Sequence, residues 1–496
     1  MNARSRSFRG TLPSLRWKSA CHEIHSHHVT NRKQAVVHPR NHMATKNSSL
    51  DPRLHNLHEE LRTVLFDGLS NLSPSRPLAE VEASDAASQR RRLDFSSATL
   101  KVPQARLVRY LQNWITECAP QLDKFDEEQH FQIEVPLVAQ RSPALLYAIL
   151  AFSSRQMERR GLMPGHCDSL ELYQESIRLL APALQAKDSV TLVTACVLAV
   201  FELMSSETGN WRRHVEGCAS LFEVFGVNGF SGGLLQAVFW CYARMELCGS
   251  FTSDGAETMV LAPEKWVPNM NRSMVSPKDA EKLVSSMFRE KSRESHDMHA
   301  NWSIYLCAKV CDLKYRRTQY LELGRTHGND DRPFSHQWQQ LWAELQFWLD
   351  ERPATMKPTA VAEETNGLAF PTIVFPHWAA ISSNQVYHAA CISMLGMQPP
   401  DSRLSSQSLS LWHARQVCGI SCSNPHPGSM VNSIQPLFTA GRLMSHASER
   451  KKIAELLQSI ERKTGWAALW RLRDLEAEWG YEKSAYWEHE VPCGSG

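Results

Sequence analysis

The feature that most constrains this chain is a long apolar run at positions 190–204. It reads VTLVTACVLAVFELM and carries a single charged residue, Glu202. A helix with this sequence would be apolar on nearly every side, so other helices must cover it completely. Asp188 is placed to cap its start. The run is shorter than the ~20 residues that cross a bilayer. We therefore predict a buried core helix and no association with a membrane.

Helical periodicity continues on both sides of this run. Leu107, Tyr110, Leu111 and Trp114 recur at the spacing of one helix face. Further helices are predicted to begin at Ser142-Pro143, at Asp168 or Ser169, and within 211–225, 234–247, 282–324 (two helices), 338–348, 379–397, 411–420, 434–444, 453–460 and 466–479. Strand-like alternation bounded by turn signals is almost absent. The predicted fold class is therefore all-α, a large multi-helix domain at 104–480.

The two ends of the chain have a different character. Residues 1–100 are rich in Ser, Arg, Asp and Pro and show little apolar periodicity, apart from one short amphipathic stretch around Leu57, Leu61 and Leu65. We predict a mostly disordered arm at 1–100 and a flexible tail at 481–496. The basic run at 90–92 fits either part of a nuclear import signal or a solvated cluster.

Charge is distributed unevenly between the arm and the body. The chain as a whole has a net charge of +2, whereas residues 1–43 hold eight Lys and Arg against one acid, Glu23. The rest of the chain is therefore slightly acidic. Phosphate backbones are gripped by basic patches, so we do not expect the body itself to bind DNA in a sequence-specific way.

Cysteine and histidine could signal metal sites. The thirteen cysteines are scattered, mostly in apolar stretches, and no CxxC pair occurs. This pattern is typical of small core residues. Cys307/Cys311 and Cys418/Cys422 have helical i, i+4 spacing, yet no further Cys or His pair accompanies either. The four histidines His22, His25, His27 and His28 could bind a transition metal weakly, but a disordered His-rich patch explains them as well.

A catalytic motif is suggested by Gly229-Phe-Ser-Gly-Gly233, which matches the G-x-S-x-G pattern of hydrolases. That chemistry requires a strand leading into a sharp turn. Here the preceding segment is predicted to be helical, so a turn between two helices is the better interpretation. The sequence predicts no catalytic, cofactor-binding or metal-binding residues, and no enzyme.

Aromatic and histidine residues in the predicted helices also allow two interpretations. Tyr387, His388 and His413 lie beside apolar residues, so they are either buried and hydrogen-bonded or part of a site for a small effector. The tryptophans Trp338 and Trp348 belong to an aromatic stripe, with Trp342 between them, that is typical of helix–helix packing.

Several blocks, in the same order as in the family, resemble the regulatory domain of fungal-specific transcription factors. They are WRRHVEG at 211–217, FWCYARMEL at 239–247, LWAELQFWLDERP at 341–353, FPTIVF at 370–375, AISSNQVYHAA at 380–390, WHARQVCGI at 412–420 with Asn424, IQPLFTAG at 434–441, and TGW at 464–466 followed by WR at 470–471 and WG at 479–480. The domain at 104–480 that they indicate covers roughly three-quarters of the chain. The resemblance implies an all-helical nuclear regulator of transcription, often of metabolic or secondary-metabolite genes.

One element of that family is missing from this sequence. Members that bind DNA carry six closely spaced cysteines near the N-terminus, because two zinc ions share six thiolates. Here the first 117 residues contain one cysteine, Cys21. Either the protein regulates without its own zinc cluster, through a DNA-binding partner or a small-molecule effector, or the gene model has lost the exon that encodes the cluster. An accessory protein of a biosynthetic pathway, enzymatic or not, is a third interpretation.

Overall fold

A computed structural model describes residues 56–65 except 58 and 62, and residues 102–163, 165–185, 188–205, 212–268, 277–324, 332–363, 369–402, 404 and 406–481. These residues all belong to one unit that begins at Pro52. The arm predicted to be disordered, the tail predicted to be flexible, the His-rich patch and the basic run at 90–92 lie wholly or mainly outside the described residues.

The first half of the body is a series of helices. They are α1 (Gln104–Asn113), α2 (Ala119–Leu122), α3 (Glu134–Ala139), α4 (Pro143–Arg159), α5 (Asp168–Gln185), α6 (Val190–Ser205), α7 (Arg212–Phe225) and α8 (Gly233–Ser253). A π-helical turn, Trp114–Cys118, joins α1 to α2, and a 3-10 turn, Pro263–Trp266, follows α8.

The second half continues in the same way. It contains α9 (Pro277–Glu294), α10 (His296–Leu323), α11 (Phe334–Asp350), α12 (Trp378–Gly396), α13 (Ser406–Ser423), α14 (Pro427–Asn432), α15 (Ile434–Gly441), α16 (Ala447–Thr464) and α17 (Leu469–Glu478). The prediction of an all-α fold is confirmed, and the predicted pair of helices within 282–324 corresponds to α9 and α10.

Helix α6 is the centre of the first half, as its sequence predicts. Nearly all of its residues are buried, including Glu202. Helices α4, α5, α7 and α8 pack around it. The amide of Val190 donates to the Asp188 carboxylate at 3.0 Å, which confirms the predicted cap. Ser142 occupies the N-cap position of α4, but its side chain makes no capping hydrogen bond.

Helix α12 has the corresponding position in the second half. Sixteen of its nineteen residues are buried, and it packs against α10, α11, α13, α14 and α15. The buried face includes polar residues such as Asn384, Gln385 and His388. Most buried polar groups are hydrogen-bonded, and the contacts of Asn384 and His388 connect α12 to neighbouring segments.

The described residues include one small β-sheet, which the sequence did not predict. Strand β1 (Ala360–Ala362) pairs antiparallel with β2 (Thr372–Val374), and Val361 stands opposite Ile373. The Asn424 amide donates to Ile373 O at 2.7 Å, and its oxygen accepts from the Phe375 amide at 3.0 Å. The end of α13 therefore fixes the second strand.

The end of the body packs against its beginning. The Trp466 indole donates to the Gln121 side chain at 2.6 Å, and the Ala467 amide donates to Met204 O at 3.0 Å. The Arg159 guanidinium pairs with Glu461 at 2.9 Å. The segment between α16 and α17 thus completes the core around α2, α4 and α6.

The short amphipathic stretch near residue 60 is helical. Leu57, Leu61 and Leu65 are buried. The side chain of Leu65 lies against Gly217 of α7, so close that a Cβ on Gly217 would come within 2.8 Å of it. This stretch therefore belongs to the packed body.

Candidate functional site

Two buried histidines meet between α12 and α13. The Nδ1 atoms of His388 and His413 are 2.8 Å apart, and the two side chains belong to residues that are 6% and 5% exposed. The half-exposed Trp412 ring lies edge-on to both imidazoles. A hydrogen bond between two Nδ1 atoms needs one donor and one acceptor, so the two rings must be opposite tautomers.

The environment keeps this pair neutral. Burial, reinforced by the neighbouring His413 and Arg352, holds the pKa of His388 well below its ordinary value. Burial lowers the pKa of His413 to about 4. Protonation of either ring would place a charge in a desolvated site. The pair therefore links α12 and α13 in its uncharged form.

Further polar contacts connect α11 and the turn after it to α12. The Gln346 amide donates to the Tyr387 hydroxyl at 3.2 Å, and the Tyr387 ring stacks on Trp348 with 5.2 Å between centroids. Arg352 donates to the Asn384 oxygen at 2.6 Å. Tyr387 is thus placed between the histidine pair and the aromatic stripe, since its ring contacts His388, His413 and Trp348.

The aromatic stripe lies where the packing interpretation places it. Trp338 and Trp348 are buried, whereas Trp342 is half-buried and stacks on Trp338 with 5.4 Å between centroids. The Trp338 indole donates to Met394 O at 2.8 Å, and the Trp348 indole donates to His299 O at 2.9 Å. Both polar ends of these side chains are therefore satisfied by neighbouring helices.

The G-x-S-x-G segment forms a turn between α7 and α8. Gly229 donates to Trp266 O and accepts from the Trp240 indole, both at 2.9 Å. A Cβ on Gly229 would lie 2.5 Å from the Trp240 ring, which explains the glycine. The Ser231 hydroxyl accepts from the Asn228 amide at 2.9 Å. A helix precedes the turn, so the strand that a nucleophile elbow requires is not there.

The cysteine pairs have ordinary core surroundings. Cys307 and Cys418 are buried, whereas Cys311 and Cys422 are half-buried, and all four are free thiols. Burial raises the pKa of the Cys422 thiol to about 11. Across the described ranges, no group of three or more His, Cys, Asp or Glu is placed to hold a metal ion. No described helix combines the length and apolar character needed to cross a membrane.

One feature of this half could not be predicted from the sequence. A cavity of about 260 Å³ opens between α12, α13, α14 and α16. Its residues are Gln385, Ser421, Cys422, Asn424, Pro425, Ser429, Met430, Ser433, Lys452, Glu455, Leu456, Ser459, Ile460 and Lys463. The α16 residues share one face at i, i+3 and i+4 spacing, which is visible in the sequence. The other walls come from α12, α13 and α14. The spacing of residues along the sequence does not reveal that these helices pack against α16.

The described residues thus form a large all-helical domain whose helices are joined by buried polar contacts. The family described as "Fungal specific transcription factor domain" matches residues 109–476. The chain therefore belongs to the fungal-specific transcription factor domain family, as the sequence blocks predict.

A curated relative is similar over part of this region. The transcription activator AMTR1 of Alternaria alternata is 23% identical in an alignment over 340 residues that covers 58% of this chain and 44% of that relative. The match thus spans less than half of the relative's own length. No solved structure is a significant match to this chain.

Proposed function

We propose that this protein is a nuclear regulator of transcription that acts through its helical body. The observation that carries the proposal is the family match over residues 109–476. The similarity to a protein named as a transcription activator supports the same role. By the resemblance of its sequence blocks, we propose that its targets are metabolic genes, among them those of a secondary-metabolite cluster.

The proposed mechanism relies on contacts with other proteins. Outside residues 1–43 the chain has more acidic than basic residues, and a surface of that kind attracts phosphate backbones poorly. In the proposed mechanism a partner that carries a DNA-binding module brings the body to a promoter. The body then exposes or masks a surface that recruits further regulators.

Two alternatives remain open as proposals. In the first, the full-length protein carries its own zinc cluster outside this sequence and binds DNA directly. In the second, the helical body is an accessory protein of a biosynthetic pathway, with or without catalysis. The family match favours regulation over the second alternative.

A tethering experiment tests the regulatory role. The full chain would be fused to a heterologous DNA-binding domain and assayed on a reporter that carries the matching operator. We expect reporter output to change relative to the DNA-binding domain alone. A fusion with Leu198→Asp is the control, because a carboxylate in the α6 core destroys the fold. Equal output from the intact fusion, the control and the free DNA-binding domain would refute the role.

Localisation and promoter binding separate the alternatives. A tagged full chain should accumulate in the nucleus under at least one growth condition, and deletion of the gene should change the transcript levels of its targets. Specific binding of the purified chain to promoter DNA at physiological salt would contradict the partner-dependent mechanism. Exclusion from the nucleus under all conditions would favour the accessory protein.

A further inference from the structure

Two buried side chains near the start of α10 each hold an oxygen atom without a hydrogen-bond donor. Asp297 and Asn301 are 5% and 1% exposed, and the Oδ1 atom of each has no partner within the described residues. A buried acceptor without a donor costs free energy. Two such atoms on one helix therefore require a physical explanation.

The two oxygens lie on the same side of α10. Asp297 and Asn301 are one helical turn apart, and residues at this spacing are neighbours on a helix surface. Both side chains also contact the loop at 123–132, between α2 and α3. The Glu127 amide donates to Asp297 Oδ2. The Asn301 side-chain amide donates to Phe125 O at 3.4 Å. The remaining oxygens of the two side chains are therefore within reach of each other.

The orientation of the Asn301 amide is set by the loop. Exchanging its oxygen and nitrogen would direct Oδ1 at Phe125 O, and two carbonyl oxygens cannot form a hydrogen bond. The nitrogen therefore faces the loop, and the oxygen is left on the side of Asp297. Two acceptors can share a hydrogen bond only if one of them carries a proton, and of these two groups the carboxyl is the one that can.

The surroundings favour a neutral carboxyl at Asp297. Burial raises its pKa to about 7, and the charges of Asp126 and Glu127 act in the same direction. The Glu127 amide, Arg244 on α8 and the position in the first turn of α10 favour the charged form. Burial outweighs them, because a carboxylate loses its hydration there. The carboxyl therefore titrates near neutral pH.

The histidine of α12 that lies nearest to this end of α10 does not supply a compensating charge at neutral pH. His377 contacts His296, the residue before Asp297, with 5.9 Å between ring centroids. Its Nδ1 atom accepts from the Ala379 amide at 3.2 Å, which requires an unprotonated Nδ1. Burial, together with His296, lowers the pKa of His377. A proton is therefore the means by which Asp297 can be buried without a charge.

We propose that Asp297 and Asn301 form a proton-binding site that fastens the loop at 123–132 to α10. Asp297 Oδ1 carries the proton and donates it to Asn301 Oδ1, so both oxygens are satisfied at once. When the pH rises, the proton passes to solvent and a carboxylate is left buried beside Asp126 and Glu127. Opening of the loop is then favoured, because water can solvate the charge.

The site makes one contact between the two halves of the body sensitive to pH, since the loop belongs to the first half and α10 to the second. This goes beyond the proposed regulatory function. It can be measured on the purified chain without any promoter.

The test is hydrogen exchange of the loop at 123–132, followed in the full chain and in Asp297→Asn from pH 5 to pH 8. Asparagine reproduces the neutral form, because its Nδ2 can donate to Asn301 and its Oδ1 can accept from the Glu127 amide. In the opened loop the carboxyl is hydrated and has its ordinary pKa of about 3.9. Opening of the unaltered chain relative to the variant should therefore increase by up to about tenfold per pH unit between pH 5 and pH 7, and level off near pH 8.

A second variant tests the partner of the proton. Asn301→Ala removes the acceptor, so the pH dependence should shift to lower pH by up to about one unit. Asp350→Asn, at an exposed position on α11, is the matched control and should behave as the unaltered chain does at every pH. Burial raises the pKa of Asp123 in the same loop to about 8. Asp123 is common to all the variants, so its titration cancels in each comparison.

Two results would overturn the proposal. If opening of the unaltered chain relative to Asp297→Asn is constant from pH 5 to pH 8, Asp297 does not titrate, and a bridging water rather than a proton satisfies the two oxygens. If the pH dependence is unchanged in Asn301→Ala, Asn301 does not accept the proton. Circular dichroism of each variant shows whether it is folded. Neither result would affect the tethering experiment or, with it, the regulatory role.

Discussion

The imidazoles of His388 and His413 share one hydrogen bond, with 2.8 Å between their Nδ1 atoms, inside the contact of α12 and α13. Burial disfavours a charge on either ring, so the pair is neutral in the folded chain. In the unfolded chain a histidine has a pKa of about 6.5, whereas burial lowers that of His413 to about 4 in the folded protein. The unfolded chain thus binds more protons between these two pH values.

From this we predict that acid weakens the fold through the histidine pair. As the pH falls from 6.5 towards 4, each buried histidine should lower the free energy of unfolding by up to about 1.4 kcal/mol per pH unit. Urea unfolding at pH 7, 6 and 5 measures the slope. His413→Asn should reduce the slope, whereas His336→Asn, at an exposed position, should not.

The comparison between variants is necessary because two buried carboxyls act in the opposite sense. Burial raises the pKa of Asp123 to about 8 and that of Asp297 to about 7. Both bind a proton more readily in the folded chain than in the unfolded chain, so they favour the fold at acidic pH. An identical slope for the unaltered chain and His413→Asn would contradict the prediction.

Gly419 should be intolerant of any side chain. A Cβ at this position of α13 would lie 2.4 Å from Pro371 O and 2.9 Å from the Pro371 ring. Because a backbone carbonyl cannot rotate away, Gly419→Ala should lower the free energy of unfolding by about 1–3 kcal/mol. Gly396, at the end of α12, has open space around it. Gly396→Ala should leave the free energy of unfolding unchanged or raise it by up to about 1 kcal/mol. Urea unfolding at pH 7 measures both variants.

Arg471 should not be replaceable by lysine. Its guanidinium lies between the rings of Phe438 and Trp470, 3.9 and 4.1 Å from their centroids, and donates to Gln435 at 3.0 Å. An ammonium cannot stack in this way. We expect Arg471→Lys to cost about 2 kcal/mol by chemical denaturation, and Arg462→Lys, at an exposed site on α16, to cost less than about 0.5 kcal/mol. Equal losses would argue against the stacking.

Truncation of a buried side chain in α6 should lower the free energy of unfolding, because other helices pack around α6 on all sides. Leu198 is fully buried there, and Leu198→Ala should lower the free energy of unfolding by about 3 kcal/mol. Leu321 on α10 is 63% exposed, so Leu321→Ala should change it by less than about 0.5 kcal/mol. A shift of the melting temperature in the first variant alone would support the packing described above.

The local features of the fold could be predicted from the sequence, because each depends on neighbouring residues. The apolar run of α6 and its cap at Asp188 are examples. Pairing between distant segments could not be predicted. Strands β1 and β2 are three residues each, too short for alternation to show. The second strand is also held by Asn424, which follows a later helix and donates to Ile373 O.

The same limit applies to the candidate site. The sequence placed Tyr387, His388 and His413 in helices, with burial and effector binding as alternatives. Their mutual contact depends on which faces of α12 and α13 meet, and a spacing of 25 residues does not reveal this. The contact of Asp297 and Asn301 with the loop at 123–132 was equally hidden, since it joins segments that are far apart in the sequence.

The indole of Trp466 reaches back across 345 residues to Gln121, and this has a consequence for synthesis of the chain. The ribosome makes the early helices long before the residue that closes their core. Until then, apolar side chains such as Phe152, whose ring faces that of Trp466, lack their final cover. Apolar surface that is exposed in this way makes an incomplete chain prone to aggregation. A stop codon only a short distance before Trp466 would therefore be expected to leave an open core and an aggregating product, although most of the chain would already have been made.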